Sequence, residues 1–573
     1  MRTTLKDELY RAGVLLLVVL SFLCFVGGKT AVAAKTPTSI GGVSPEEALH
    51  LGEKMYRQGI LPSGKPMQAT VKDDVPVDGT MFTCVSCHLR CGVGVTEGKV
   101  RTPPIDGTRL FAPVSKFRRV PMLGENPGKM DEGIFYRPAY TEKTLARVLE
   151  TGLDPANRQL NSVMPIYPLA DKDKEILVHY LKNLSVGAQP GVTDTTLRFA
   201  TVITEDVPQE DREAMLVPLQ NYIENWRVPK KMERTIKSVA QRKEGSGHDL
   251  RTLALSVWEL KGAPETWRGQ LEEYYRKEPA FALLGGISTK DWSPIHRFCE
   301  DLKIPEVFPV TDFPVIAESD WYSLYFSKGL YQEGEAAARY LHGQNELQKE
   351  GVVQVFRNEP KGLALSKAFQ EVWTGLGHKA PDTIILQANE AVSPELWKKI
   401  DGMHKQAPVL LWLNVSDFPD LTGLAKEATK PAIVLASASL LEQKVYSLPE
   451  TERSYIYLTY PYALPQDSHG YRAHAAEHKM GDKIPLNERE PALKMQSLFQ
   501  TISGPLSRLR AFVYRDYFLE LIESTPDLTS GTVIYPRLSF GQGQRYASKG
   551  CYVVQLTAGP KPELVKRSEW VTH

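Results

Sequence analysis

The chain has 573 residues, with 69 basic side chains against 68 acidic ones, 42% hydrophobic and 24% charged content. These proportions are globular and exclude a disordered chain. A net charge of +1 argues against a dedicated nucleic-acid binder, which needs clustered Lys and Arg. At roughly 100–200 residues per domain the length accommodates about three packed units, and six cysteines are too few for a disulfide scaffold.

At the N-terminus Arg2, Lys6 and Arg11 precede an apolar run at 14–26, followed by small residues ending Ala31-Val32-Ala33-Ala34. This is the pattern of a secretory signal, assigned to residues 1–34. The run is shorter than the ~20 residues a spanning helix needs. The expectation is an exported, periplasmic protein, cleaved after Ala33 or Ala34 or retained by an N-terminal anchor as its one membrane contact.

From 44 to 184 helical spacing recurs at 46–58, 142–151 and 171–184, separated by loops rich in Gly and Pro. This predicts an all-α domain. A Ser/Gly/Pro/Thr stretch, 185–196, reads as a linker. Beyond it the pattern changes. Apolar runs at 199–203, 253–257, 281–287, 352–356, 384–386, 409–413, 432–436 and 455–458 read as strands. Amphipathic stretches at 267–276, 336–341, 365–373 and 395–403 fall between them. Such alternation predicts βαβ units and mostly parallel sheets covered on both faces, here over 197–557.

The motif that carries chemistry is Cys84-Val85-Ser86-Cys87-His88. C-x-x-C-H is the attachment signature of a c-type haem: two thiols add to the vinyl groups and the adjacent His binds iron. A zinc site would need a second ligand pair at similar spacing, and a thioredoxin-like site a βαβ context; neither is present. The expected cofactor is one covalent haem c held by Cys84 and Cys87, with His88 as one axial ligand. For the other ligand, Met164 in Ser162-Val163-Met164-Pro165-Ile166-Tyr167 is a thioether on a proline-braced loop just before a helix. Met122, Met130 and His179 are its rivals.

Residues 44–184 resemble the monohaem cytochrome c domains of bacterial electron-transfer chains. The resemblance rests on Cys84 to His88, Thr102-Pro103-Pro104-Ile105-Asp106-Gly107, Arg137-Pro138-Ala139-Tyr140 and Met164-Pro165 with Tyr167. It implies an all-α fold around one haem that passes single electrons to redox partners in the cell envelope. Cys91 departs from the usual pattern.

The region 197–557 resembles type I periplasmic binding proteins, in particular the branched-chain amino-acid-binding branch. The carriers are Phe281-Ala282-Leu283-Leu284-Gly285-Gly286-Ile287-Ser288-Thr289, Pro294, Ile304 to Pro309, and Gly334-Glu335-Ala336-Ala337-Ala338-Arg339-Tyr340-Leu341. The resemblance implies two α/β lobes hinged over a ligand cleft. It implies a hydroxyl pair, Ser288 and Thr289, at a helix start, with Thr289 holding a ligand carboxylate. Asp312 falls where the family often has another hydroxyl, and a carboxylate there repels an amino acid's own carboxylate unless a cation intervenes. The segment from Arg357 to Lys361 lacks the family's ligand-covering Tyr.

Cys299 and Cys551 are either a disulfide or two buried thiols. His469, His474 and His478 read as an exposed polar segment, with a shared metal as the alternative. Three functions compete: an exported electron carrier with a solute-binding or docking module, a solute receptor or redox sensor, and a haem enzyme. Ligation by Met164 would close the iron position that the last one needs.

Overall fold

A computed structural model describes residues 39–71, 75–98, 100–114, 137–226, 251–317, 319–344, 351–393, 395–404, 406–414, 416–418, 431–464, 489–509, 512–525, 534–541 and 543–572. Residues 1–34, expected as an export signal, Met122, Met130 and the histidines at 469, 474 and 478 lie outside them. Among the described residues no helix is long and apolar enough to cross a membrane. The chain divides into two compact units, one of residues up to Cys87 with Ile105–Leu184, the other of His88–Pro104 with Ser185–His573.

The first unit is built on three helices, each delimited by its own sequence. Pro45–Gln58 starts at Ser44, whose hydroxyl accepts from Glu47 N, and stops at Gly59 in the left-handed conformation. Glu142–Thr151 is closed by a capping box of Thr141 and Thr144 and ends at Gly152. Asp171–Asn183 carries two acids in its first turn. Gly52 lets the first and third helices approach closely, since a Cβ there would lie 2.4 Å from Tyr180 Cβ. Met55, Tyr56, Leu145, Leu149, Ile176, Leu177 and Leu181 share one buried core.

The expected all-α reading needs correction at two places. Gln68–Val71 (β1) pairs antiparallel with Val75–Asp78 (β2), and Thr96–Glu97 (β3) with Val100–Arg101 (β4). These ladders are too short to show a period-2 pattern in the sequence. The second hairpin belongs to the His88–Pro104 segment of the other unit.

The rest of the second unit forms two α/β lobes. The first sheet contains Thr196–Thr204 (β5), Thr252–Leu260 (β6), Ala282–Leu284 (β7), Glu306–Val307 (β8) and Ser323–Leu324 (β9). They are all parallel, in the order β6-β5-β7-β8-β9. The second sheet contains Val353–Arg357 (β10), Asp382–Leu386 (β11), Val409–Trp412 (β12), Val434–Ser437 (β13) and Ile456–Tyr460 (β14). These five run parallel in the order β11-β10-β12-β13-β14. Gly550–Leu556 (β15) adds antiparallel to β14, followed by Leu564–Lys566 (β16), while Val571–Thr572 (β17) pairs with β15. Each lobe therefore has its second strand at the edge and its first just inside it, between the second and third, the doubly wound order whose ligand crevices lie beyond the carboxyl ends of the strands.

The all-buried strands β7 and β12 read as unbroken apolar runs because both faces are covered, whereas the equally buried β10 includes Gln354 and Arg357 and β13 ends on Ser437. The chain passes between lobes three times: after β9, after β14 to helices Glu490–Leu509 and Arg515–Glu523 in the first lobe's core, and back into β15. Arg515 fastens that return, donating to the carbonyls of Phe281 (2.9 Å), Ala280 (2.6 Å) and Lys303 (3.2 Å). Cys299 and Cys551 are buried free thiols, so no disulfide links the lobes through them.

Under the first sheet lies a polar chain. Glu306 is fully buried and accepts from Trp292 Nε1 (2.6 Å) and Tyr325 OH (3.4 Å). Tyr325 OH meets His296 Nδ1 at 3.0 Å, and His296 Nε2 meets Asp320 Oδ2 at 3.0 Å. Burial pushes the Glu306 carboxyl from 4.5 up to about 8, against the lowering effect of the Trp292 hydrogen bond. The native chain thus holds a proton between those values that the unfolded chain has lost, so this group's contribution to stability falls as pH rises across that window. Glu306→Gln should flatten the decline in urea-unfolding stability between about pH 5 and 8; an unchanged slope would assign the decline to other groups.

Candidate functional site

The segment before the haem-attachment motif is fixed by a turn, in which Asp78 Oδ1 accepts from Thr80 N (2.8 Å) and Thr80 Oγ1 (2.6 Å). The single-turn helix Cys84–His88 follows, with Thr83 Oγ1 2.7 Å from Ser86 Oγ. Neither Cys84 nor Cys87 is in a disulfide. Burial pushes the Cys84 thiol up to about 12, with the Cys87 thiol adding to the effect and a backbone hydrogen bond opposing it. Cys84, Val85 and Met164 all pack on the first unit's core.

The Met164 loop is pinned at both ends. Met164 N donates to Asn161 O (2.9 Å), and Ile166 exchanges hydrogen bonds with Thr70 (3.0 and 2.9 Å). Tyr167 N then donates to Leu149 O (2.7 Å), and its hydroxyl reaches back to Phe82 O (2.8 Å), two residues before Cys84. Among the rivals, His179 lies within helix Asp171–Asn183, where its backbone carbonyl accepts from Asn183 Nδ2 at 2.8 Å.

His88 is buried, 5% exposed, with Nδ1 3.2 Å from Pro103 O. With Nδ1–H donating to that carbonyl, the lone pair rests on Nε2, the tautomer a metal-ligating imidazole needs. Burial pushes its pKa down to about 4, opposed by the Pro103 carbonyl, so the ring is neutral. Cys84 and Cys87 outside any disulfide, a buried imidazole next in sequence, and a thioether on the same core as Cys84 are donor types that fit a covalent haem.

The second region lies at the carboxyl ends of the strands in the two lobes. After β7 the chain turns through Gly285 (φ 60°) and Gly286 (φ 100°). A Cβ on Gly286 would sit 3.0 Å from Val202 O, so the backbone itself approaches β5 there. This brings Ile287 alongside Ile203 and places Thr204 Oγ1 3.1 Å from Ser288 Oγ. Thr289 N donates to Asp206 Oδ2 (3.1 Å), and the Thr289 hydroxyl donates to the same oxygen. Burial raises the Asp206 carboxyl, but hydrogen bonds from Thr289 and Thr204 outweigh it and hold it below its ordinary value. Lys290 Nζ lies 3.8 Å from Asp206 Oδ1.

The helix expected to open at Ser288 and Thr289 begins instead at Ser293, with Pro294 in its first turn. The hydroxyl and N–H that would hold a ligand's carboxylate are thus already used on the chain's own carboxylate. Asp312 is accompanied by the intervening cation that its position calls for. Lys361 Nζ, at the start of helix Pro360–Gly375 in the second lobe, lies 2.8 Å from Asp312 Oδ2. Lys494 Nζ pairs with Glu490 Oε1 (2.5 Å), and Arg489 pairs with Asp211 (2.6 Å) and Glu210.

Sequence reasoning named Thr289, Ser288 and Asp312, and did not name Asp206 or Lys361, which contact two of them. The available sign was Asp312 itself: an acid at that position calls for a base nearby. Arg357, in the same segment as Lys361, is buried and spends its guanidinium on Asp417 (2.8 Å) and the carbonyls of Gln387, Ala388 (2.9 Å) and Glu390 (3.0 Å). It organises the loops beyond β10, β11 and β12.

Comparison with protein-family models and with curated proteins gives no match. Among solved structures the chain is similar to an ABC transporter substrate-binding protein from Sphaerobacter thermophilus, with 12% identity over 66% of this chain and 98% of that one (TM-score 0.48). A fatty acid ABC transporter substrate-binding protein from Thermomonospora curvata is 13% identical over 68% and 95% (TM-score 0.44). A branched-chain amino acid ABC transporter from Thermus thermophilus with bound valine is 11% identical over 66% and 97% (TM-score 0.44). The two-lobed description above stands on strand order alone.

Lys361 and Asp312 are 39% and 37% exposed, so their attraction is screened. Lys361→Met should cost less than about 1 kcal/mol of unfolding free energy. It should also release the lobes, read as a larger radius of gyration by small-angle X-ray scattering. A loss well beyond that figure would make the pair a structural element rather than a latch.

Proposed function

We propose that this chain is an exported solute receptor of the cell envelope, of the type I periplasmic-binding-protein kind, that carries one covalent haem c. The observation that carries the haem is His88: a buried, neutral imidazole whose Nδ1 is committed to Pro103 O, directly after two cysteines at the attachment spacing, neither of them in a disulfide. Bound haem supplies reversible one-electron transfer. Cys84 and Cys87 would tether it, and His88, through Nε2, and Met164, on its pinned loop, are the residues that would hold its iron. Such His/Met coordination raises the potential and leaves no open position for substrate, which favours electron exchange with redox partners over catalysis. The receptor reading is supported by the twin strand order, which brings Asp206, Ser288 and Thr289 to the carboxyl ends of one sheet, and by the Asp312–Lys361 pair joining the lobes.

A second reading is an electron carrier whose α/β lobes dock a protein partner without binding any solute. The specific observation in its favour is that Thr289 and Asp312 are both satisfied within the chain.

Protein from a host competent in cytochrome maturation should show a Soret band and the mass of one haem added; bare apoprotein mass would end the haem reading. Met164→Ala should keep the covalent haem but abolish the far-red Met–Fe(III) band and lower the potential. For the receptor, a solute at 100 times its Kd should add about 2.7 kcal/mol of stability in thermal melts. A broad solute panel giving no such gain would leave the docking reading.

A further inference from the structure

We infer that Arg90 and Trp321 are positioning residues that tie the His88 segment to the first lobe, so that the conformation of the lobe sets the environment of the proximal ligand. The inference rests on the haem reading above. The segment His88–Pro104 belongs to the α/β unit, and the contacts that hold it there are few and specific.

Arg90, two residues after the ligand, lays its guanidinium over the Trp321 ring, 3.9 Å from the centroid. Arg545 lies over the same ring at 4.5 Å and donates to Trp321 O (2.8 Å). An indole between two guanidiniums is favourable only where acids balance the charge, and a helix provides them. Asp516 Oδ1 accepts from Trp321 Nε1 (3.1 Å) and lies 3.6 Å from Arg90 Nε. Glu520, one turn on, accepts from Arg90 N (2.7 Å), and Glu523 pairs with Arg545. Ser185 Oγ adds a bond to Cys91 O (2.9 Å). All three acids lie on helix Arg515–Glu523, whose Phe518, Leu519 and Ile522 are in the first lobe's core.

Two further features connect this clamp to function. Within the segment, His88 O accepts from Gly94 N (3.0 Å), and Pro103 O orients the His88 ring. A shift at Arg90 is thus transmitted to both the backbone and the ring of the ligand. On the other side, Trp321 and Asp312 lie on one connection, between β8 and β9. Asp312 is the residue that Lys361 of the other lobe grips. Release or capture of that ion pair bears on the same connection that presents Trp321 to Arg90.

The test uses the full chain matured with haem, comparing Arg90→Ala, Arg90→Lys and Trp321→Ala with the parent. Two quantities are read: the reduction potential, and hydrogen exchange of the amides of residues 89–103. Trp321→Ala removes no charge, so a changed potential in it reports a displaced segment rather than a lost cation. Both Arg90→Ala and Trp321→Ala should retain stoichiometric haem and exchange those amides at least tenfold faster. Both should also shift the oxidised-to-reduced equilibrium by a factor approaching ten, about 59 mV for one electron. Arg90→Lys, which keeps the charge but not the planar stack, should fall between them and the parent. If both disruptive variants retain parental exchange and potential with haem in place, the inference is overturned. Absence of haem from the parent would overturn the haem reading instead, while the exchange data would still report on the clamp.

Discussion

A parallel sheet cannot leave a face in water, and that constraint organises most of this molecule. Both sides of the inner strands are covered, edge strand β11 keeping Thr383 and Ile385 exposed on one face, so polar chemistry is forced to the rims, where strands end and loops begin. In both lobes the second strand is at the edge and the first lies just inside it. The carboxyl rims of the two sheets therefore carry Thr204, Asp206, Ser288, Thr289 and Asp312 on one lobe and Arg357 and Lys361 on the other. Where a charged group does lie beneath a sheet, as Glu306 does, it is wired to Trp292 and Tyr325 and held in its uncharged form.

The small unit solves a different problem. Its core is modest, and helix ends are closed by local chemistry at Ser44, Thr141, Gly59 and Gly152 rather than by packing alone. The loop between its second and third helices, rather than a helix, presents Met164. Pinning by Thr70, Asn161 and Leu149 substitutes for secondary structure there.

Much of the architecture was legible because its elements follow simple periods. Helices Glu142–Thr151 and Glu395–Met403 match the expected ranges at both ends, since caps or abrupt polar boundaries mark them. Strand runs such as 199–203 were found but drawn too short: β5 extends from Thr196 to Thr204 because pairing with β6 continues through Thr and Arg. The attachment motif was legible because it is contiguous. Asp206 and Lys361 were not, because their roles arise from contacts across 83 residues in one case and across the two lobes in the other. Arg90 was hidden for the same reason, its partners being more than 200 positions away in the chain. No local pattern encodes such meetings.

The two sealed sulfhydryls at Cys299 and Cys551 have a bearing on biogenesis. If the chain is exported as proposed, it meets an oxidising milieu before it is complete, and there a nascent chain with several reduced sulfurs can cross-link at random. Once the lobes close over these two, neither can compete for Cys84 and Cys87, which the haem reading requires to stay reduced. On that reading, rapid collapse of the large unit is a safeguard for the small one: a variant slow to bury either sulfur would accumulate scrambled, colourless protein.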